Sequence, residues 1–172
     1  MKEGINLRKL RINDLESIMK FFPEKELLMN IGNDIPVNKI TKTFEKKWLE
    51  KQIKNYKKKK PSEYQLAIDI DRKFAGVIGF NKIDFKNEQG VIGYWIGRLF
   101  RGKGYMTRAL KILLKNSDKK FKLKRITANV FTYNPASGKV LEKCGFKIEG
   151  ERRKIKKLDN KFVNDKVYSR IK

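Results

Sequence analysis

The chain has no histidine and only one cysteine, Cys144, among its 172 residues. An intramolecular disulfide is therefore excluded, and a metal site would need carboxylates alone, so we expect neither disulfide nor metal. Proline is scarce at 4 residues, and acidic residues are outnumbered, 19 against 43 lysines and arginines. No apolar run is long enough to cross a bilayer, and the opening MKEGINLRKL lacks the apolar stretch of a signal peptide. These absences lead us to expect a cytoplasmic protein without membrane contact. The length suits a single domain over residues 1–172, and no repeat or low-complexity linker divides it.

The formal net charge is +24. Lysine-biased coding accounts for such an excess as readily as a basic binding surface does. If it is functional, the field draws in phosphorylated ligands and RNA-rich or acidic partners at rates that salt suppresses, and it repels a polyamine. The run Lys57–Lys60 before Pro61 has no interleaved aromatics and reads as a solvated helix end.

Hydrophobic patterning predicts a first strand over 5–11, then a helix capped by Asn13 or Asp14 and carrying Leu15, Ile18, Met19, Phe21 and Phe22. A loop is expected around Gly32–Pro36. A helix over 38–56 would present Ile40, Phe44, Trp48 and Ile53. Residues 64–70, 75–83 and 90–97 alternate as strands, with turns at Asp71-Arg72 and Asn87-Glu88. A helix over 107–120, a strand over 125–131, a short helix over 135–144 stopped by Gly145, and a final strand pair complete the pattern. The fold class is α+β, a mixed and mostly antiparallel sheet flanked by helices.

The most informative stretch is GYWIGRLFRGKGYMTRAL, 93–110. An apolar strand enters a glycine-rich basic loop that opens a helix. Gly102 and Gly104 let the main chain turn and approach a ligand, while Arg101, Lys103 and the first helical amides offer positive charge. Thr107 caps or lines the helix start. A phosphorylated cofactor fits such a loop.

Taken together, Tyr94-Trp95-Ile96-Gly97, Arg101-Gly102-Lys103-Gly104-Tyr105-Met106-Thr107 and Asn134-Pro135-x-Ser137 leading to Cys144-Gly145-Phe146 resemble the GNAT N-acetyltransferase superfamily. Within it the chain is most similar to the RimJ/RimL-like branch, which acetylates protein N-termini, ribosomal ones among them, and includes small-molecule acetyltransferases. The opening, middle and closing segments fit that branch too, although only the central motifs are specific.

The resemblance implies acetyl-CoA as donor, its diphosphate on the 101–106 loop and its pantetheine arm along the strand ending at Trp95-Ile96-Gly97, where the sheet splays. It gives the Ile96 amide the role of oxyanion donor and Asn134 that of a pantetheine contact. Met106 is frequent at its position in this branch. Ser137 matches a serine that protonates the departing thiolate, with helix-start hydrogen bonding as its other reading. Asp165 matches an Asp that orients the amine or bridges to water; a salt bridge is the alternative. Trp48, Tyr94 and Trp95 line the acceptor groove or pack in the core, and Glu88, Asp84 and Glu149 are further carboxylates able to face the cleft. Cys144 reads as a small hydrophobe.

The chain also departs from the superfamily's patterns. Val91 stands where an acidic residue often precedes GYW, Leu141 where other members carry a tyrosine acid, and Lys156 where close relatives place a glutamate base. No strong base is visible. A lysine amine of pKa about 10.4 costs roughly 4.6 kcal/mol to neutralise at pH 7, an α-amine of pKa about 7.7–8.0 only roughly 1–1.4. The expected acceptor is therefore a protein N-terminal α-amine, taken by direct transfer through a monomer or homodimer. Alternatives are a drug, amino sugar or amino acid acceptor, or a non-catalytic module binding cofactor or RNA.

Overall fold

A computed structural model describes residues 4–22, 24–31, 40–158 and 160–172. Strand β1 (Ile5–Lys9) leads through a 3-10 turn at Ile12–Asp14 into helix α1 (Leu15–Phe21) and helix α2 (Lys25–Asn30). The first strand stops short of residue 11, because the chain turns where Arg8 binds Asp14 and Asp69. Asp14 does not cap α1. Its carboxylate instead accepts from the Arg11 N–H at 2.8 Å and from the Arg8 guanidinium, locking the turn behind it. The six-residue α2 carries no sequence signal of its own, and the loop expected around Gly32–Pro36 lies outside the described residues.

Helix α3 (Lys42–Asn55) starts at Thr41, whose hydroxyl accepts the Phe44 N–H at 3.2 Å. The start expected at 38 also falls outside the described residues. Its buried face is not the predicted one. Glu45, Leu49, Gln52 and Asn55 point to the sheet, while Phe44 is 51% exposed. The rotation brings polar groups inward. Gln52 reaches Glu63 at 3.0 Å, and Glu45 enters the cleft described below.

Strands β2 (Tyr64–Ile70), β3 (Lys73–Asp84) and β4 (Gln89–Ile96) form an antiparallel meander. The β2–β3 turn holds Asp71 and Arg72 at φ 47° and 65°, the two left-handed residues of a tight hairpin. Helix α4 (Tyr105–Phe121), strand β5 (Arg125–Phe131), helix α5 (Pro135–Glu142) and the long hairpin of β6 (Lys147–Leu158) and β7 (Lys161–Ile171) follow. Gly145, at φ 83°, sits in the left-handed conformation just past α5.

The seven strands form one sheet in the order β1-β2-β3-β4-β5-β7-β6. Side-chain alternation sorts its inner strands into two cores. Ile68, Ile78, Phe80 and Ile92 face α4 with Leu110 and Leu113, whereas Ala67, Val77 and Trp95 face α1–α3 with Ile18, Leu27 and Leu49. Phe21, Phe22 and Phe74 surround the Trp95 ring at centroid distances of 5.7–5.9 Å, each contact adding about 0.5–1.5 kcal/mol beyond burial. Among the described residues, no helix is long and apolar enough to cross a membrane.

Candidate active site

Strand β4 is the hinge of the site. Against β3 it pairs along its whole length, but its parallel pairing with β5 covers only Gln89–Val91. Beyond Val91 the two strands diverge and leave a cleft of about 990 Å³, a size suited to a large ligand. The hydrogen-bonding phase follows from one contact. Gly97 N–H donates to the Ala75 carbonyl of the β3 side at 2.9 Å, so by alternation the main-chain groups of Trp95 face β3, while those of Tyr94 and Ile96 face the split. An edge of this kind can accept an extended ligand as an extra strand.

The glycine loop closes one end of the split. Gly102 and Gly104 both hold φ at 76°, and a Cβ at either would meet nothing within 4 Å. Glycine is needed for the backbone turn, and the space above it is open. Gly104 is the N-cap of α4, no side chain caps that helix, and its first-turn amides have no intrahelical acceptor. Those amides and the helix dipole make an anion seat. Tyr105 and Met106 bury their side chains, so the seat draws on their N–H groups. Thr107 lies inside the first turn rather than capping it, because α4 starts two residues earlier than expected.

Arg101 plays a different part from the one its motif suggested. Its Nε donates to the Ile96 carbonyl at 3.1 Å, and its terminal nitrogens pair with Glu24 at 3.2 Å and Glu26 at 2.9 Å. The guanidinium ties the loop to β4 and α2 through these contacts while Arg101 also lines the cleft. Gly97 and Lys103 are the two residues assigned to the donor that do not line the cleft. Lys103 is exposed, and Gly97 packs beneath Phe21, where a Cβ would come within 2.1 Å of the ring.

Asn134 and Ser137 stand on the opposite bank. The Asn134 carbonyl oxygen Oδ1 caps α5 by accepting the Ser137 N–H at 3.2 Å, and both residues line the cleft. Ser137 Oγ donates to the Tyr94 hydroxyl at 2.9 Å, which in turn donates to the Ser137 carbonyl at 3.1 Å. Tyr94 thus packs on the α4 side of the sheet and fixes Ser137, a link that sequence reasoning missed. Burial pushes its phenol well above the usual range, so it stays protonated.

Asp165 lines the cleft from β7, but the Arg152 guanidinium occupies both of its oxygens, at 2.9 and 2.6 Å. Asp84, Glu88 and Glu149 lie away from the cleft. Asp84 closes the β3–β4 turn, Glu88 sits in it at φ 51°, and Arg125 with Ser169 holds the Glu149 carboxyl down to about 2. Cys144 is half-buried, and burial raises its thiol, which disfavours a nucleophilic thiolate. The structure adds a carboxylate that periodicity had placed on a solvent face. Glu45 is 6% exposed, lines the cleft, and burial pushes its carboxyl up to about 7.

A sheet left incomplete beside an uncapped helix start can receive a long ligand with phosphates at one end. The chain belongs to the GNAT acetyltransferase family: residues 5–147 match its acetyltransferase (GNAT) domain. Over 175 residues it is 27% identical to the uncharacterized N-acetyltransferase p20 of Bacillus licheniformis, covering 99% of this chain and 94% of that protein. The ribosomal-protein-serine acetyltransferase of Escherichia coli (strain K12) is 31% identical over 96 residues, 56% of this chain and 54% of its own length. The microcin C7 self-immunity acetyltransferase MccE, solved with acetyl-CoA and AMP, aligns with a TM-score of 0.85 and 26% identity over 100% of this chain and 94% of that one. The protein is an N-acetyltransferase with acetyl-CoA as donor, and the amide seat and the free β4 edge fit that donor's diphosphate and pantetheine arm.

Proposed function

We propose that the acceptor is the α-amine at a protein N-terminus, in a ribosomal or other RNA-associated protein. The observation that carries this reading is the acceptor end of the cleft. Among the described residues, exposed Ile31, Phe44 and Ile155 from the α2, α3 and β6 sides line this end. An open apolar rim suits an extended peptide better than a small polar amine, which a site would enclose. Among the described residues, three of the four carboxylates lining the cleft, Glu26, Glu63 and Asp165, are already ion-paired with Arg101, Lys51 and Arg152. This leaves room for one positive charge, which disfavours a polyamine. The ribosomal-protein-serine acetyltransferase among the relatives supports the same class, and the net charge of +24 suits an RNA-bound acceptor.

When bound, acetyl-CoA supplies an activated acetyl thioester. The Ile96 N–H, fixed by β3–β4 pairing, stabilises the charge that builds on the acyl oxygen. Asn134 holds the arm, and Ser137, turned by Tyr94, delivers a proton to the departing sulfur. No activated nucleophile stands in the cleft, so transfer is direct and both substrates are present together. A small-amine acceptor is the second reading, favoured by the likeness to the self-immunity enzyme.

Initial rates decide between them. A lysine-free peptide with a free N-terminus is expected to exceed an N-terminally blocked peptide with one lysine, and both should exceed amino sugars. A clear preference for lysine or for the small amines overturns the reading.

A further inference from the structure

Glu45 lies where α3 should be apolar. It shares the sheet-facing side of that helix with Leu49 and Gln52, it is 6% exposed, and it lines the cleft. Among the described residues, the other carboxylates around it each have a cationic partner. Glu63, at the start of β2, binds Lys51 at 2.6 Å and Gln52 at 3.0 Å. Asp69 of β2 and Asp14 of the 3-10 turn share Arg8. On α1, Glu16 pairs with Lys42. Across the mouth, Glu26 pairs with Arg101. Glu45 differs from all of these: among the described residues no hydrogen bond or ion pair reaches its carboxylate, and burial raises its pKa.

A carboxylate on the wall of a partly desolvated cleft is costly to keep charged, and a cation entering the cleft would relieve it. The cleft supplies the route. Glu45 is on the face of the sheet that carries Trp95 and Gly93, the β4 residues flanking Tyr94, and it opens toward the rim of Ile31 and Phe44. Gln65, which donates to Asn81 at 2.8 Å, adds polar lining on that side, and the Asn81 amide covers Gly93.

We propose that Glu45 accepts, directly or through one water, the proton that the acceptor's ammonium must lose before its nitrogen can attack. The assignment rests on the reading that the amine enters from this end. The ammonium gives one proton to Glu45 and becomes a neutral amine. Its nitrogen then bonds to the acyl carbon, the carbon–sulfur bond breaks, and the second amine proton passes through Ser137 to the sulfur. Glu45 returns its proton to water after product leaves. A base near 7 is within about one unit of an α-amine at about 7.7–8.0, but more than three units below a lysine at about 10.4.

The test compares the wild type with E45Q and E45D on three acceptors: the N-terminal peptide, the lysine peptide and a small amine. We expect E45Q to lower kcat/KM about 100-fold and to remove the limb near pH 7, without changing coenzyme A affinity by calorimetry, and E45D to keep at least a tenth of the rate. A carbon-detected NMR titration of Glu45 gives a readout independent of turnover, with an expected midpoint near 7. An E45Q rate within about twofold of wild type on every amine the enzyme uses, or a midpoint below about 5, overturns the proposal. Turnover of lysine or the small amine but not the N-terminal peptide overturns the acceptor reading instead, and the Glu45 limb is then read on the amine that reacts.

Discussion

At its donor end the cleft is built of main chain: the open β4 edge at Tyr94 and Ile96, the glycine turns at 102 and 104, and the first amides of α4. At its acceptor end it is built of side chains from separate elements: Glu45 of α3, Gln65 of β2, Asn81 of β3 and Ile155 of β6. Peptide groups can bind a donor whatever side chains surround them, whereas the proposed acceptor would meet groups that a single substitution can change. Donor binding would then rest on backbone geometry, and selectivity on replaceable atoms.

The strongest challenge to that contrast is Gly104→Val. Nothing lies within 4 Å of the added Cβ in the free protein, so folding should bear only the left-handed backbone cost at φ 76°, about 1–2 kcal/mol. Coenzyme A affinity should fall much further, by about 100-fold on calorimetry, because the side chain occupies the anion seat. Equal losses in stability and affinity would mean that the loop is not a seat at all.

Glu45→Gln sharpens the comparison from the other end. A carboxyl whose folded pKa is about 7, above its ordinary 4.5, stabilises the fold at acid pH, and this contribution is lost as pH rises from about 4.5 to 7. Discounted for solvent in the cleft, the neutral glutamine should raise stability at pH 8 by about 1–2 kcal/mol relative to pH 4, while activity falls. Urea melts at the two pH values measure it.

Tyr94→Phe tests the seam between the two ends. It removes the hydroxyl that holds Ser137, and kcat is expected to drop about tenfold with KM for either substrate nearly unchanged. A shift confined to KM would make Tyr94 a packing residue only.

This division explains how much could be read in advance. The turn and helix start within Gly93–Leu110 were visible because glycine at a left-handed turn, a basic loop and a helix start follow one another there, and local sequence governs such a turn. The antiparallel meander was equally plain from its alternation. The acceptor end was hidden because its groups lie far apart in sequence and meet only through packing. Phe44 and Trp48 outranked Glu45 and Gln52 on hydropathy, yet the helix turned its polar side inward, where Glu63 and the cleft receive it. Arg101 shows the opposite case: its motif gave no hint that Glu24 and Glu26 pair with its guanidinium.

The short β4–β5 ladder has a thermodynamic consequence of its own. A sheet that stops pairing at Val91 leaves a backbone edge, and a ligand bound there would add to folding free energy as RT ln(1 + [L]/Kd), about 2.7 kcal/mol at a hundredfold excess over Kd. The melting temperature would then rise with coenzyme A and its thioester alike, because both carry the same arm and diphosphate.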